Sequence, residues 1–157
     1  MRATKFLSAI ALTASLAVGQ CAFSSVAVST YGQPCSVWTL PSQMPAISVA
    51  LDATSCTLGM DVTAFPGCCN SFLTGRVLVL GLQQVSVPVP QFGVNCNLLV
   101  SPDVFLFQQS SGAFQMPLPA APFPATTIYA QSAVLYFTTI GLTTEWGLSS
   151  GYQIDLQ

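Results

Sequence analysis

The chain has 157 residues, 5% of them charged and 52% hydrophobic, with three basic residues and no histidine. That length fits one domain. So little positive charge excludes a nucleic-acid partner and binding to an anionic membrane surface, since each needs a basic footprint. The missing histidine removes the base of Ser-His-Asp and Cys-His nucleophile systems.

Two of the basic residues, Arg2 and Lys5, precede an apolar run from Phe6 to Val18. Positive start, short apolar core and small exit residues predict a signal peptide within residues 1–27. Ala17-Val18-Gly19 offers a cut before Gln20, and Ser25-Val26-Ala27 a cut before Val28. The run is too short to span a bilayer. Gln20 precedes Cys21 where lipoprotein processing needs a small residue, which argues against a lipid anchor. The expected location is extracytoplasmic: secreted, periplasmic or on the cell surface. Removal of the signal leaves Arg76 alone against Asp52, Asp61, Asp103, Glu145 and Asp155, and no apolar run long enough for a membrane-spanning helix.

Residues 28–45 read as a loop-rich segment. Residues 46–157 read as an all-β domain, an antiparallel sandwich of about seven to nine short strands, because glycine and proline punctuate short alternating runs. Ile47, Val49 and Leu51 alternate with Ser48, Ala50 and Asp52 as a first strand. Leu58, Met60, Val62 and Ala64 mark a second, and Pro66–Gly75 a loop. Arg76–Leu82 is apolar on both sides and suits a central strand covered on both faces. Val85, Val87 and Val89 alternate, but Pro88 and Pro90 remove ladder donors and assign this piece to an edge. Leu98–Val100 and Val104–Phe107 flank the turn Ser101-Pro102-Asp103, and Gln109–Gly112 forms the next turn. Phe114, Met116 and Leu118 alternate ahead of an extended proline-rich connection from Pro117 to Pro124. Thr126–Phe137 is the longest strand candidate, and Tyr152, Ile154 and Leu156 mark the last.

An ordered set of short motifs runs through this pattern. They are Tyr31-Gly32-Gln33-Pro34-Cys35, Leu80-Gly81-Leu82, Val87–Pro90 and the run Cys96–Asp103 (CNLLVSPD). Gly112, Met116–Pro119, Ile128–Gln131 (IYAQ) and Gly141–Thr144 (GLTT) follow. From Tyr31 to the end, the chain resembles a group of uncharacterised secreted or surface domains of planctomycete-type bacteria. The resemblance implies a secreted β-sandwich and brings no catalytic residues with it. Cys68-Cys69 departs from that pattern.

Six cysteines allow fifteen full pairings. A hairpin between the strand ending at Phe65 and the one starting at Arg76 would set Cys56 near Leu82, which favours Cys56–Cys96. Cys35 precedes the first strand, whose start lies beside the Pro66–Gly75 loop, which favours Cys35 with Cys68 or Cys69. Adjacent cysteines fit no CxxC spacing and no histidine completes a zinc site, so disulfide, not metal or redox, roles are expected.

No catalytic residue, metal ligand or cofactor is assigned, and the chain is read as a non-enzyme. A carboxylate pair of the glycosidase kind is the remaining catalytic option, but the five acids read as solvated loop and face residues. Trp146, Trp38, Tyr129 and Tyr152 are candidates for stacking on a sugar ring, as in a carbohydrate-binding module, although aromatics in sandwiches more often fill the core. The test is whether Trp146 and a tyrosine share one exposed flat face. A surface this poor in charge must expose apolar or neutral groups, and such patches mark contact surfaces. The expected role is therefore structural or interactive in the cell envelope or extracellular space. The expected partner is an envelope or extracellular protein, a glycan, or a second copy of the chain.

Overall fold

The computed structural model describes residues 21–36, 44–63, 71–93, 95–109, 112–120, 123–138 and 143–157. Residues 1–20, Trp38, Cys68 and Cys69 lie outside them, so the signal segment, one candidate aromatic and the adjacent cysteines have no structural description.

The protein is all-β and antiparallel. Among the described residues the strands are β1 (Val26–Tyr31), β2 (Cys35–Ser36), β3 (Ala46–Asp52), β4 (Thr57–Thr63), β5 (Ser71–Gly81) and β6 (Gln84–Pro88). They continue as β7 (Asn97–Val100), β8 (Val104–Gln108), β9 (Phe114–Pro117), β10 (Thr126–Thr138), β11 (Thr143–Leu148) and β12 (Gly151–Leu156). A short 3-10 turn, Pro90–Phe92, lies between β6 and β7.

The main sheet is built on β10. One edge of β10 pairs along its length with β5, which pairs in turn with β8. The other edge is shared: the first half pairs with β12, the second with β11. β1 extends the sheet beyond β12, and β2 extends it beyond β11. A second sheet, ordered β3-β4-β9, covers one face of the main sheet. The hairpin β6–β7 covers part of the other.

Alternation explains the larger layer contact. Leu58, Met60 and Val62 point from β4 onto Leu78 and Leu80 of β5, Val134 and Tyr136 of β10, and Ile154 and Leu156 of β12. Leu58, Met60, Leu78, Val134 and Ile154 are fully buried. Each such side chain contributes about 1.5–3 kcal/mol relative to exposure. Phe23 closes this core from the N-terminal side.

Three expectations need correction. In the stretch 28–45, read as loop-rich without an assigned strand, β1 reaches to Tyr31 and β2 occupies Cys35–Ser36. The loop expected over 66–75 gives way to strand at Ser71, so β5 begins five residues before Arg76. β4 and β5 do not form a hairpin. β4 pairs with β3 and β9, and β5 belongs to the other sheet. That connection crosses between layers, which strand alternation alone cannot reveal.

The disulfides follow the true topology. Cys21 pairs with Cys56, and Cys35 with Cys96, replacing both expected pairings. Cys56 sits at the β3–β4 turn, where its carbonyl accepts from Leu118 N at 2.8 Å, and Cys21 bridges to Ala120 beside it. With no β4–β5 hairpin, nothing brings Cys56 to Cys96. Two disulfides fit an oxidising, extracytoplasmic compartment. Among the described residues no helix is long and apolar enough to cross a membrane.

Candidate functional site

Several motif residues, Tyr31, Gly32, Cys35, Gly81, Cys96–Asp103 and Gln131, converge on one place, the joint where β7 and its flanking turns meet the main sheet. Gln131 of β10 is buried at the centre. Its Oε1 accepts from Leu99 N at 2.9 Å, and its Nε2 donates to Asn97 O at 3.2 Å and Ser149 O at 3.0 Å. One amide thus satisfies three backbone groups, two on β7 and one at Ser149, that would otherwise lack partners. Ser149 Oγ adds a bond from Ser132 N at 2.9 Å.

The neighbouring motifs lock the same joint. Tyr31 lays its ring across Gly151 and donates its hydroxyl to Leu99 O at 2.9 Å. Burial, with Tyr129 nearby, pushes the Tyr31 hydroxyl up to about 12. Gly32 has φ +65 and lies under the Leu99 side chain, so both backbone and space require glycine there. Gly81 lies against the Ser101 carbonyl, which leaves no room for a Cβ. Asp103 ties off the β7–β8 turn, accepting from Leu82 N and Ser101 Oγ, both at 2.9 Å. Cys35–Cys96 pins the far end of the hairpin, where Phe92 stacks edge-on against Trp146 at 5.2 Å. Sequence reasoning passed over Gln131 and Ser149. The available signal was a glutamine inside a long apolar strand, a position that requires a buried partner set.

The other acids also hold structure. Asp52 caps its own turn through Thr54 N, Ser55 N and Ser55 Oγ, and these bonds hold its carboxyl below the usual range. Asp155 accepts from Thr127 Oγ1 at 2.6 Å and from Gln153 Nε2. Glu145 sits on β11 opposite Tyr136. Asp61 pairs at 3.3 Å with Arg76, which is buried between the sheets and also donates to Val62 O and Gln108 Oε1. Arg76 thereby covers the edge of β4 that β9, ending its pairing at Met60, leaves open. Among the described residues no group of three acidic or cysteine side chains is arranged to hold a metal ion.

Among the described residues the candidate stacking aromatics Trp146, Tyr129 and Tyr152 do not form a platform. Tyr152 is core, with its hydroxyl accepting from Ile47 N at 3.0 Å. Trp146 is half-buried against Phe92, and Tyr129 stacks edge-on with Tyr31 at 6.0 Å. Trp146 pairs across from Leu135, six positions along β10 from Tyr129, which is roughly 20 Å.

The exposed apolar groups gather elsewhere. Phe105 and Phe107 of β8 are 62% and 60% exposed, and Phe72 of β5 is 60% exposed. By register and alternation all three lie on the outer face of the main sheet, beside the area that β6–β7 covers. Next to them, a groove of about 400 Å3 runs between β8 and β9, floored in part by Phe114. No protein-family model, curated protein or solved structure matches this chain.

Proposed function

We propose that this chain is an exported, non-catalytic β-sandwich domain of the cell envelope or extracellular space, working through contact rather than chemistry. The observation that carries this reading is the phenylalanine strip of β8 and β5, left uncovered on a surface nearly devoid of charge. Asp52, Asp61, Asp103 and Asp155 serve turns, strand edges and one ion pair, which supports a non-enzymatic role. The disulfides and the N-terminal apolar run support export.

The fold also favours one signal cut over the other. Cleavage before Val28 would divide β1 and remove both Cys21, the partner of Cys56, and the buried Phe23. Cleavage before Gln20 keeps all three. The ordered motifs support membership of the secreted planctomycete-type group, with Tyr31, Gly32, Cys35, Gly81, Cys96–Asp103 and Gln131 acting as a structural joint.

Pelleting the secreted protein with isolated envelopes of the producing cell tests the role. Retention that Phe105→Lys and Phe107→Lys together reduce is the expected result. Protein that stays wholly in solution over envelopes and also hydrolyses a glycan substrate would overturn the reading.

A further inference from the structure

We infer that β8 is a self-pairing edge, at which a second copy of this chain adds its own β8 antiparallel to form a two-fold dimer. The inference rests on the contact role proposed above and names its partner.

Among the described residues β8 pairs with β5 alone, so its outer edge presents unused backbone donors and acceptors. Sheet proteins blunt such edges with charge, proline or bulges. Other edges show these devices, are polar or short, or, as in β7, have backbone groups taken up by Gln131. β6 carries Pro88 and a register shift, and β9 ends in Pro117. β3 ends in Asp52, and β1 carries Ser29 and Thr30. β8 reads Val-Phe-Leu-Phe-Gln, with no charge, no proline and no register shift against β5.

That sequence is nearly symmetric about Leu106. An antiparallel pair centred there sets Phe105 of each copy opposite Phe107 of the other, and Val104 opposite Gln108. Directly opposed residues share a face, so the four phenylalanines meet on the outer face as cross-strand aromatic pairs. A closed two-fold contact of this kind uses one patch on both copies and stops at two. Charge poses no barrier, because β8 carries none and Arg76 and Asp61 are occupied with each other. With phenylalanines already 60% exposed or more, the aromatic contact removes on the order of 400 Å2, and the strand pairing adds to it. That total lies below about 1,200 Å2 and predicts a reversible, concentration-dependent dimer rather than an obligate one.

Sedimentation of the pure secreted chain over a wide concentration range tests this. The expected result is a monomer–dimer equilibrium that Phe105→Lys weakens by roughly tenfold or more, while Ser29→Lys on the β1 edge leaves it unchanged. Both positions are exposed, and matching thermal melts confirm that the variants fold. Hydrogen exchange supplies a measurement without mutation: amides of Val104–Gln108 should exchange more slowly at high than at low concentration. A chain that remains monomeric throughout overturns the inference. So does a dimer lost with Ser29→Lys and kept with Phe105→Lys, or unchanged exchange in β8. Envelope retention by a monomeric chain would leave the contact role standing while this dimer fails.

Discussion

The two faces of the main sheet are covered in different ways. The inner face meets β3-β4-β9 through a continuous apolar layer, with Met60, Leu58 and Leu78 shut off from solvent. The outer face meets β6–β7 through a small apolar patch around Ala133, Leu148 and Cys96, a disulfide, and the branched hydrogen bonds of Gln131. Burial is undirected and grows with area, so the inner layer needs only alternating side chains. A four-residue strand such as β7 offers too little area for that, and directed bonds and a covalent link take over.

The contrast predicts different consequences for damage on each side. Met60→Ala should cost most, about 3–5 kcal/mol, because the inner layer cannot collapse around the lost volume. Denaturant unfolding measures it. Replacing Cys35 and Cys96 together by serine should cost about 2–4 kcal/mol by releasing a loop closed over 61 residues, and should expose Trp146 to fluorescence quenchers. Gln131→Leu should cost about 2–3 kcal/mol, since Leu99 N, Asn97 O and Ser149 O then lack a partner. Hydrogen exchange should locate that loss in β7, with β4 still protected.

Two tyrosines, one half-buried and one buried, sharpen the comparison. Tyr31 on the outer side has an acceptor, whereas the Tyr136 hydroxyl on the inner side has no hydrogen-bond partner among the described residues. Tyr31→Phe should cost about 1 kcal/mol, and Tyr136→Phe should be neutral or stabilising. Burial pushes both hydroxyls up to about 12. Their folded values exceed the unfolded value of 10.0, so their contribution is complete below pH 10 and is lost as pH rises toward 12. Either phenylalanine variant should flatten the alkaline fall in melting temperature. Asp52 gives the smallest effect and the opposite sign. Its carboxyl is held below 3.8, so its contribution is present above that pH and fades as pH falls through the lowered value. Asp52→Asn should therefore differ from the parent at neutral pH and converge with it in acid.

Much of the inner layer was legible in the sequence. The alternation of Ile47–Asp52 and of Leu58–Val62 located β3 and β4, and the two-sided apolar run after Arg76 located the central strand. Pro88 marked the edge hairpin. β1 and β2 were missed, because VAVSTY has only a partial alternation and Cys35–Ser36 is too short to show a period. The Cys56–Cys96 expectation failed because a local β4–β5 hairpin was assumed where β4 and β5 belong to different sheets, and the Cys35 expectation because Cys35 was set beside the loop before β5 when it lies on β2 next to β11. The strand at Val104–Phe107 was legible, but not that Phe105 and Phe107 lie on the outer face of the main sheet with most of their surface in solvent.

Side-chain period and turn chemistry are local, so the sequence by itself determined an all-β chain, most of its strands, and a surface almost without charge. Which strands became neighbours is a matter of contacts between distant residues, and local pattern carries no record of them. Tertiary structure alone therefore decided that Cys21 meets Cys56, that Gln131 ties β7 and Ser149 to β10, and that among the described residues β8 pairs with β5 alone.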